Sequence, residues 1–172
     1  MEDSKYVRLA GIAYESLVNG PGMRRVLFAQ GCRHKCPGCF NEDTHDFKAG
    51  ELKEIDEIIK DIVDNKLLRG VTFSGGDPLE QAEQFSYIAL KLKEAGINIW
   101  CYTGYSFEYI LGNIKLRQGW QALLSNIDVL VDGKFQEENK DERLKFRGSS
   151  NQRLIDVPKS LEHGKVELFE ID

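Results

Sequence analysis

Cysteine, histidine and long apolar runs are all scarce in this chain. Of its 172 residues four are cysteine and three histidine, and three of the cysteines crowd into residues 32–39. Thiols so few and so bunched do not make the disulfide framework of a small secreted domain, which points to a reducing cytoplasm. No apolar stretch approaches the roughly 20 residues a membrane-spanning helix needs. The opening Met1-Glu2-Asp3-Ser4-Lys5-Tyr6 has no hydrophobic leader character. Positive charge is not in excess either: 23 Lys and Arg stand against 28 Asp and Glu, a net charge of −5. That balance gives no general electrostatic case for nucleic-acid binding. Internal repeats and low-complexity stretches are missing too. What remains is an ordinary globular composition, 41% hydrophobic and 30% charged, long enough for one domain with a real core. The expected organisation is a single domain over 1–172, with its core at about 10–158 and a tail at 159–172.

The pattern alternates strand and helix. Strands are expected at 6–14, 25–30, 70–74, 97–102 and 127–132, with a turn at Asn19-Gly20-Pro21-Gly22. Apolar residues at helical spacing (Ile55, Ile58, Ile59, Ile62, Val63) predict a helix over 51–65. Phe85, Ile88, Ala89 and Leu92 predict a second over 79–95, stopped by Gly96, and 106–124 reads as largely helical. Such alternation implies a parallel sheet with right-handed crossovers. A closed eightfold barrel typically needs about 250 residues, whereas this chain has room for about five or six βα units of roughly 30 residues each. The expected fold is therefore α/β, a partial (open) parallel βα barrel, with a doubly wound sheet as the alternative.

Chemistry concentrates in Gly31-Cys32-Arg33-His34-Lys35-Cys36-Pro37-Gly38-Cys39. Three thiols spaced C-x3-C-x2-C can hold three irons of a cubane cluster and leave the fourth with an open position. The same loop, with His34 or His45 as a further ligand, also suits a Cys3His zinc site. From spacing alone both remain open. The cysteine loop, Gly75-Gly76-Asp77-Pro78, Thr103-Gly104 and Asp132-Gly133-Lys134 each follow the C-terminal end of an expected strand, where parallel α/β folds build their sites. Asp77 and Pro78 suit a helix start. The paired glycines let bare backbone lie against a ligand such as an ammonium group. Cys101, among apolar strand residues, reads as a core thiol, while His34 and His45 read as loop-surface residues if the cluster is present. Gln136–Arg143 reads as a charged loop.

The C-x3-C-x2-C loop together with Ser74-Gly75-Gly76-Asp77-Pro78 resembles the radical S-adenosylmethionine (SAM) superfamily, and within it the activating enzymes of glycyl-radical proteins. Asn19-Gly20-Pro21-Gly22-Met23-Arg24, Gly38-Cys39-Phe40-Asn41 and Arg147-Gly148-Ser149-Ser150-Asn151-Gln152-Arg153 are similar to the subgroup that activates anaerobic ribonucleotide reductases. The likeness runs over about residues 10–158. It implies a 4Fe–4S cluster on Cys32, Cys36 and Cys39, with SAM chelating the fourth iron and Gly75, Gly76 and Asp77 holding its ammonium. Superfamily members commonly carry an aromatic residue before the third cysteine; here that position is Gly38, and Phe40 is taken as the adenine contact instead. The likeness further places Asp132 and Lys134 near SAM, and Arg147, Asn151 and Arg153 in contact with SAM or a partner. An arginine fork suits a carboxylate through paired hydrogen bonds. The implied reaction is reductive cleavage of SAM to methionine and a 5′-deoxyadenosyl radical, which takes hydrogen from a glycine of the reductase catalytic subunit. A flavodoxin-type donor would supply the electron. Alternatives are an activase of the pyruvate formate-lyase type, a small-molecule radical SAM synthase, and a non-catalytic zinc or Fe–S interaction module.

Overall fold

The computed structural model describes residues 5–34, 36–39 and 42–171. Strands β1 (Tyr6–Ser16), β2 (Arg24–Ala29), β3 (Glu51–Glu54), β4 (Gly70–Gly75), β5 (Asn98–Tyr102), β6 (Val129–Asp132) and β7 (Arg153–Asp156) form one sheet. Its order is β3-β1-β2-β4-β5-β6-β7. The helices are α1 (Ile55–Asp64), α2 (Ala82–Glu94), α3 (Phe107–Gly112), α4 (Trp120–Leu124) and α5 (Val157–His163).

The sheet is mixed rather than wholly parallel. Only β2, β4, β5 and β6 pair in parallel. β1 lies antiparallel to β2 because the short link 17–23 permits a hairpin and no crossover. β3 pairs antiparallel with β1, Tyr6 facing Glu54 and Leu9 facing Glu51, so Glu51-Leu52-Lys53-Glu54 satisfies its backbone on a sheet edge and the helix expected from 51 begins at Ile55. β7 lies beyond the last expected strand and pairs antiparallel with β6. The helix expected over 106–124 divides in two. Ser106 caps α3 by accepting from the Tyr109 N–H, and Gly119, at φ +86°, takes a left-handed turn just before α4.

From β2 to β6 the strand order advances in one direction. Right-handed crossovers then place every connecting helix on the same face, and the doubly wound alternative, which needs a reversal of order, does not occur. Leu27 and Ala29, Val71 and Phe73, Ile99 and Cys101, and Leu130 share one core with Ile58, Phe85, Leu92, Ile110, Trp120 and Val157 from the five helices. Period-two alternation sends Thr72, Ser74, Trp100, Tyr102, Val129 and Val131 to the opposite face. That face has a smaller cluster in which Trp100, Val129, Val131 and Leu154 pack with Phe146 and Phe169.

Arg24 plugs one end of this second face. It is 1% exposed, and its guanidinium donates to Thr72 Oγ1 and the Val71 carbonyl, both at 2.9 Å, and to Asn98 and the Pro21 carbonyl. Desolvation lowers its pKa to about 10. Beyond α5 the chain returns to the sheet, where the Phe169 N–H donates to the Leu154 carbonyl and the Phe169 ring meets Trp100 edge-on. The far end of the same face stays open.

Candidate active site

A cavity of about 560 Å³ opens at the C-terminal ends of the parallel strands, within the range of small-molecule sites. Cys32, Cys36 and Cys39 line one wall, and Gly75, Gly76, Thr103 and Gly104 line the floor. Lys134, Phe135, Leu144, Phe146, Arg147 and Gln152 complete the lining, with Phe135 and Lys134 beside Cys36. The convergence of loops expected from strand ends is thus present, and all three cysteines reach one space.

The glycine pair is explained by chain packing as well as by access. A Cβ on Gly75, which has φ +98°, would strike β2 and sit 2.7 Å from the Phe28 carbonyl carbon; one on Gly76 would collide with the Gly31 carbonyl and lie 2.8 Å from Thr44 O. Both residues press the end of β4 against β2 and the start of the cysteine loop. The Gly76 N–H donates to Ala29 O and the Asp77 N–H to Gly31 O, each at 2.8 Å. Close backbone packing on one side leaves bare backbone on the other, facing the cavity.

Asp77 caps the following turn as expected, but its carboxylate also ties other loops together. It is fully buried and its carboxylate is already occupied. Oδ1 accepts from the Leu79 N–H at 3.0 Å, capping the short turn Pro78–Gln81. Oδ2 accepts from the Gly104 N–H at 3.0 Å and contacts His34 Nε2 at 2.8 Å, and the Thr103 hydroxyl donates within 3.0 Å. No lone pair is left aimed at a ligand. His34, expected at the surface, is correspondingly buried, its side chain only 6% exposed.

Asp132 and Arg153 also point away from the cavity. They face each other across β6 and β7. Arg153 forks onto both Asp132 oxygens at 3.0 and 2.6 Å and reaches Glu108, and Asp132 accepts from the Phe107 N–H, capping α3. The two carboxylates hold the Arg153 guanidinium well above its ordinary pKa. Its paired donors therefore bind protein, not a ligand. Lys134 is exposed at the cavity. Arg147 lines it too; one guanidinium N–H donates to the Gln152 carbonyl at 2.8 Å, while Nε is buried without a hydrogen-bond partner. Asn151 ties the loop down by donating to the Lys134 carbonyl, and its Oδ1 is likewise buried and unpaired. Phe40 lies outside the described residues.

Several further residues shape the cavity. Gln152 donates to Gly133 O and accepts from the Gly148 and Ser149 N–H groups, pinning residues 147–152 across the cavity. Tyr102 supports Phe146 by donating to its carbonyl at 2.6 Å. Phe146 holds φ +65°, a conformation rare for a bulky side chain. His45 lines the cavity with a buried, unpartnered Nε2. Of these, Gln152 falls within the Arg147–Arg153 motif, and His45, a candidate zinc ligand by sequence and otherwise expected at the loop surface, has its Nε2 buried; Tyr102 and Phe146 carry no signal in the sequence.

The thiols differ in setting. Burial and the neighbouring Cys39 push the Cys36 thiol up, opposed by the Phe135 backbone N–H and the Lys134 charge. Cys101 is fully buried beneath the sheet; desolvation, with the Asp77 charge adding, raises its thiol far more, as befits a core residue.

A sequence profile described as a 4Fe-4S single cluster domain matches residues 18–155. Anaerobic ribonucleoside-triphosphate reductase-activating proteins align over most of the chain. That of Vibrio cholerae is 42% identical over 144 residues, covering 79% of this chain and 89% of its own. That of Escherichia coli K12 is 40% identical, covering 79% and 90%. That of bacteriophage T4 is 38% identical over 143 residues, covering 80% and 86%. The chain belongs to the family of anaerobic ribonucleoside-triphosphate reductase-activating proteins.

Among solved structures, QueE from Escherichia coli superposes with a TM-score of 0.42 and 13% identity, over 58% of this chain and 53% of that one. Membership in the activating-protein family, with its single 4Fe-4S domain, decides the metal question that spacing left open. The donor type agrees: three thiols on one cavity are the ligands Fe–S clusters take. The described residues contain no helix long and apolar enough to cross a membrane.

Proposed function

We propose that this protein is the radical SAM activase of an anaerobic ribonucleotide reductase, generating the glycyl radical of the catalytic subunit. The observation that carries the reading is the meeting of Cys32, Cys36 and Cys39 with the bare Gly75–Gly76 backbone on one open cavity. Cys32, Cys36 and Cys39 would hold a 4Fe–4S cluster, which when reduced would supply the one electron for cleavage of SAM to methionine and a 5′-deoxyadenosyl radical able to take hydrogen from the glycine. The chain's own residues bind and orient. Gly75 and Gly76 present backbone to the SAM ammonium. Arg147, which lines the cavity, receives its carboxylate in place of Arg153, whose donors are held by Asp132 and Glu108. Lys134 adds positive charge nearby. Tyr102, Phe135 and Phe146 line the cavity and suit adenine stacking.

In this reading the sheet, with helices on one face and the cavity on the other, is part of an open βα barrel whose interior is the ligand side. The chain is one domain, with the tail docked on Trp100. Leu17 and Val18, 72% and 75% exposed, stand at the mouth where the reductase segment enters. A flavodoxin-type protein in the cytoplasm provides the electron. Neither nucleic acid nor membrane takes part.

Anaerobic reconstitution with iron and sulfide, followed by dithionite and SAM, tests the reading. The expected result is about four irons per chain, a reduced-cluster EPR signal altered by SAM, 5′-deoxyadenosine, and a glycyl radical on added reductase. Each of Cys32→Ala, Cys36→Ala and Cys39→Ala should abolish all of these while Cys101→Ala retains them. Bound zinc with no SAM cleavage would refute it.

A further inference from the structure

His34 and Asp77 form a joint between three loops that the chain order keeps far apart. His34 sits between the first two cysteines. Its Nε2 lies 2.8 Å from Asp77 Oδ2, and because an ionised carboxylate only accepts, the imidazole donates from that nitrogen. The same Asp77 carboxylate fixes the β4 end through the Leu79 N–H and the β5 end through Thr103 and the Gly104 N–H. Packing closes the joint. A Cβ on Gly104 would lie 2.7 Å from His34 Cγ, and the Tyr105 ring meets the imidazole edge-on, with centroids 4.4 Å apart. Arg33 braces the outside, donating to Glu80 at 2.9 Å, and the Tyr105 hydroxyl donates to the same Glu80.

We infer that His34 is a positioning residue: through Asp77 it locks the cysteine loop in register with the Gly75–Gly76 and Thr103–Gly104 floor, fixing where the cluster stands relative to SAM. The inference rests on the proposed function for what the cavity holds. Asp77 thereby acquires a role different from ammonium binding, because its acceptors are spent on the joint. Residues that orient a metal-binding group from behind typically change affinity or activity when removed even though they touch neither metal nor ligand. The buried pair is also protected from solvent competition, which makes its geometry stiff.

The test compares His34→Ala and His34→Gln with the wild type. In the protein without cluster, amide exchange of peptides spanning 31–39 and of Gly104 should rise in His34→Ala, with little change in far-UV circular dichroism. After reconstitution, the dissociation constant for SAM, read from the EPR change, should rise about 10-fold. His34→Gln, whose amide N–H can still donate to Asp77, should restore both quantities substantially. Unchanged exchange and unchanged SAM affinity in His34→Ala would overturn the inference, as would a His34→Gln as impaired as His34→Ala. Failure of the wild type to take up a cluster would sink the proposed function instead, while the exchange measurement would still decide the joint.

Discussion

Replacing Gly76 with alanine tests whether the glycine pair serves close packing of the cysteine loop. The added methyl would collide with the Gly31 carbonyl and stand 2.8 Å from Thr44 O, both backbone atoms that cannot rotate away. Relief requires moving Gly31, which accepts from the Asp77 N–H at 2.8 Å and donates to Thr44 O at 2.6 Å. Losing those two hydrogen bonds costs about 1 kcal/mol each. Overpacking at a rigid contact adds about 1–3 kcal/mol, for a total near 4 kcal/mol. At about 2–4 °C per kcal/mol for a domain of this size, Tm should fall by about 8–16 °C. Gly11→Ala is the control, since a Cβ there meets nothing within 4 Å, and its effect should stay within about 0.5 kcal/mol. Thermal unfolding of both variants without cluster, followed by circular dichroism, measures the difference. Equal melting of Gly76→Ala and Gly11→Ala would refute the packing argument and return the glycines to a purely ligand-facing role.

Three further outcomes follow from burial and charge placement. The Cys101 thiol has its pKa raised well above 9.0 by burial, so above pH 9 the unfolded chain loses this proton while the folded one keeps it. Stability from this site is intact below pH 9 and declines as pH rises further; urea titrations from pH 8 to 10 should show a slope that Cys101→Val reduces. Arg153→Ala strips the buried Asp132 of its partner and should cost about 2–3 kcal/mol, discounted because the arginine is one-third exposed, with SAM affinity nearly unchanged. Arg147→Ala should do the reverse, lowering SAM affinity about 10-fold, as loss of a charge-assisted contact would, with little change in unfolding. Identical behaviour of the two variants would contradict their separate placement.

The parallel centre of the sheet was legible because β2, β4, β5 and β6 are nearly continuous apolar runs, as strands buried on both faces must be. Their loops could be placed on one side from direction alone. The edges were not legible. Glu51–Glu54 is polar and mostly exposed, so nothing in its composition separates it from the helix that follows; only pairing with β1 makes it a strand. Arg153–Asp156 is a strand of only four residues that begins on the last residue of the Arg147–Arg153 motif, too short for a clear alternation. At the site, the cysteines and glycines announced themselves by residue type and spacing. Asp77, Asp132 and Arg153 have equally suggestive types, yet tertiary partners claim their hydrogen-bonding capacity, and partners separated by tens of residues leave no local trace. Arg147 and Arg153 look alike in the motif, but only the pairing register sends Arg153 to Asp132.

Part of the cavity lining comes from residues 133–152, about a hundred positions after the cysteine loop. At synthesis rates of about 5–20 residues per second, the three thiols leave the ribosome some 5–20 s before the strap that Gln152 fastens across them. During that interval the strands that carry the cavity floor emerge in turn, but the lining from 133–152 is still missing. On the proposed function, a complete pocket for iron, sulfide and SAM exists only once that last stretch is made, so topology sets the filling of the site late.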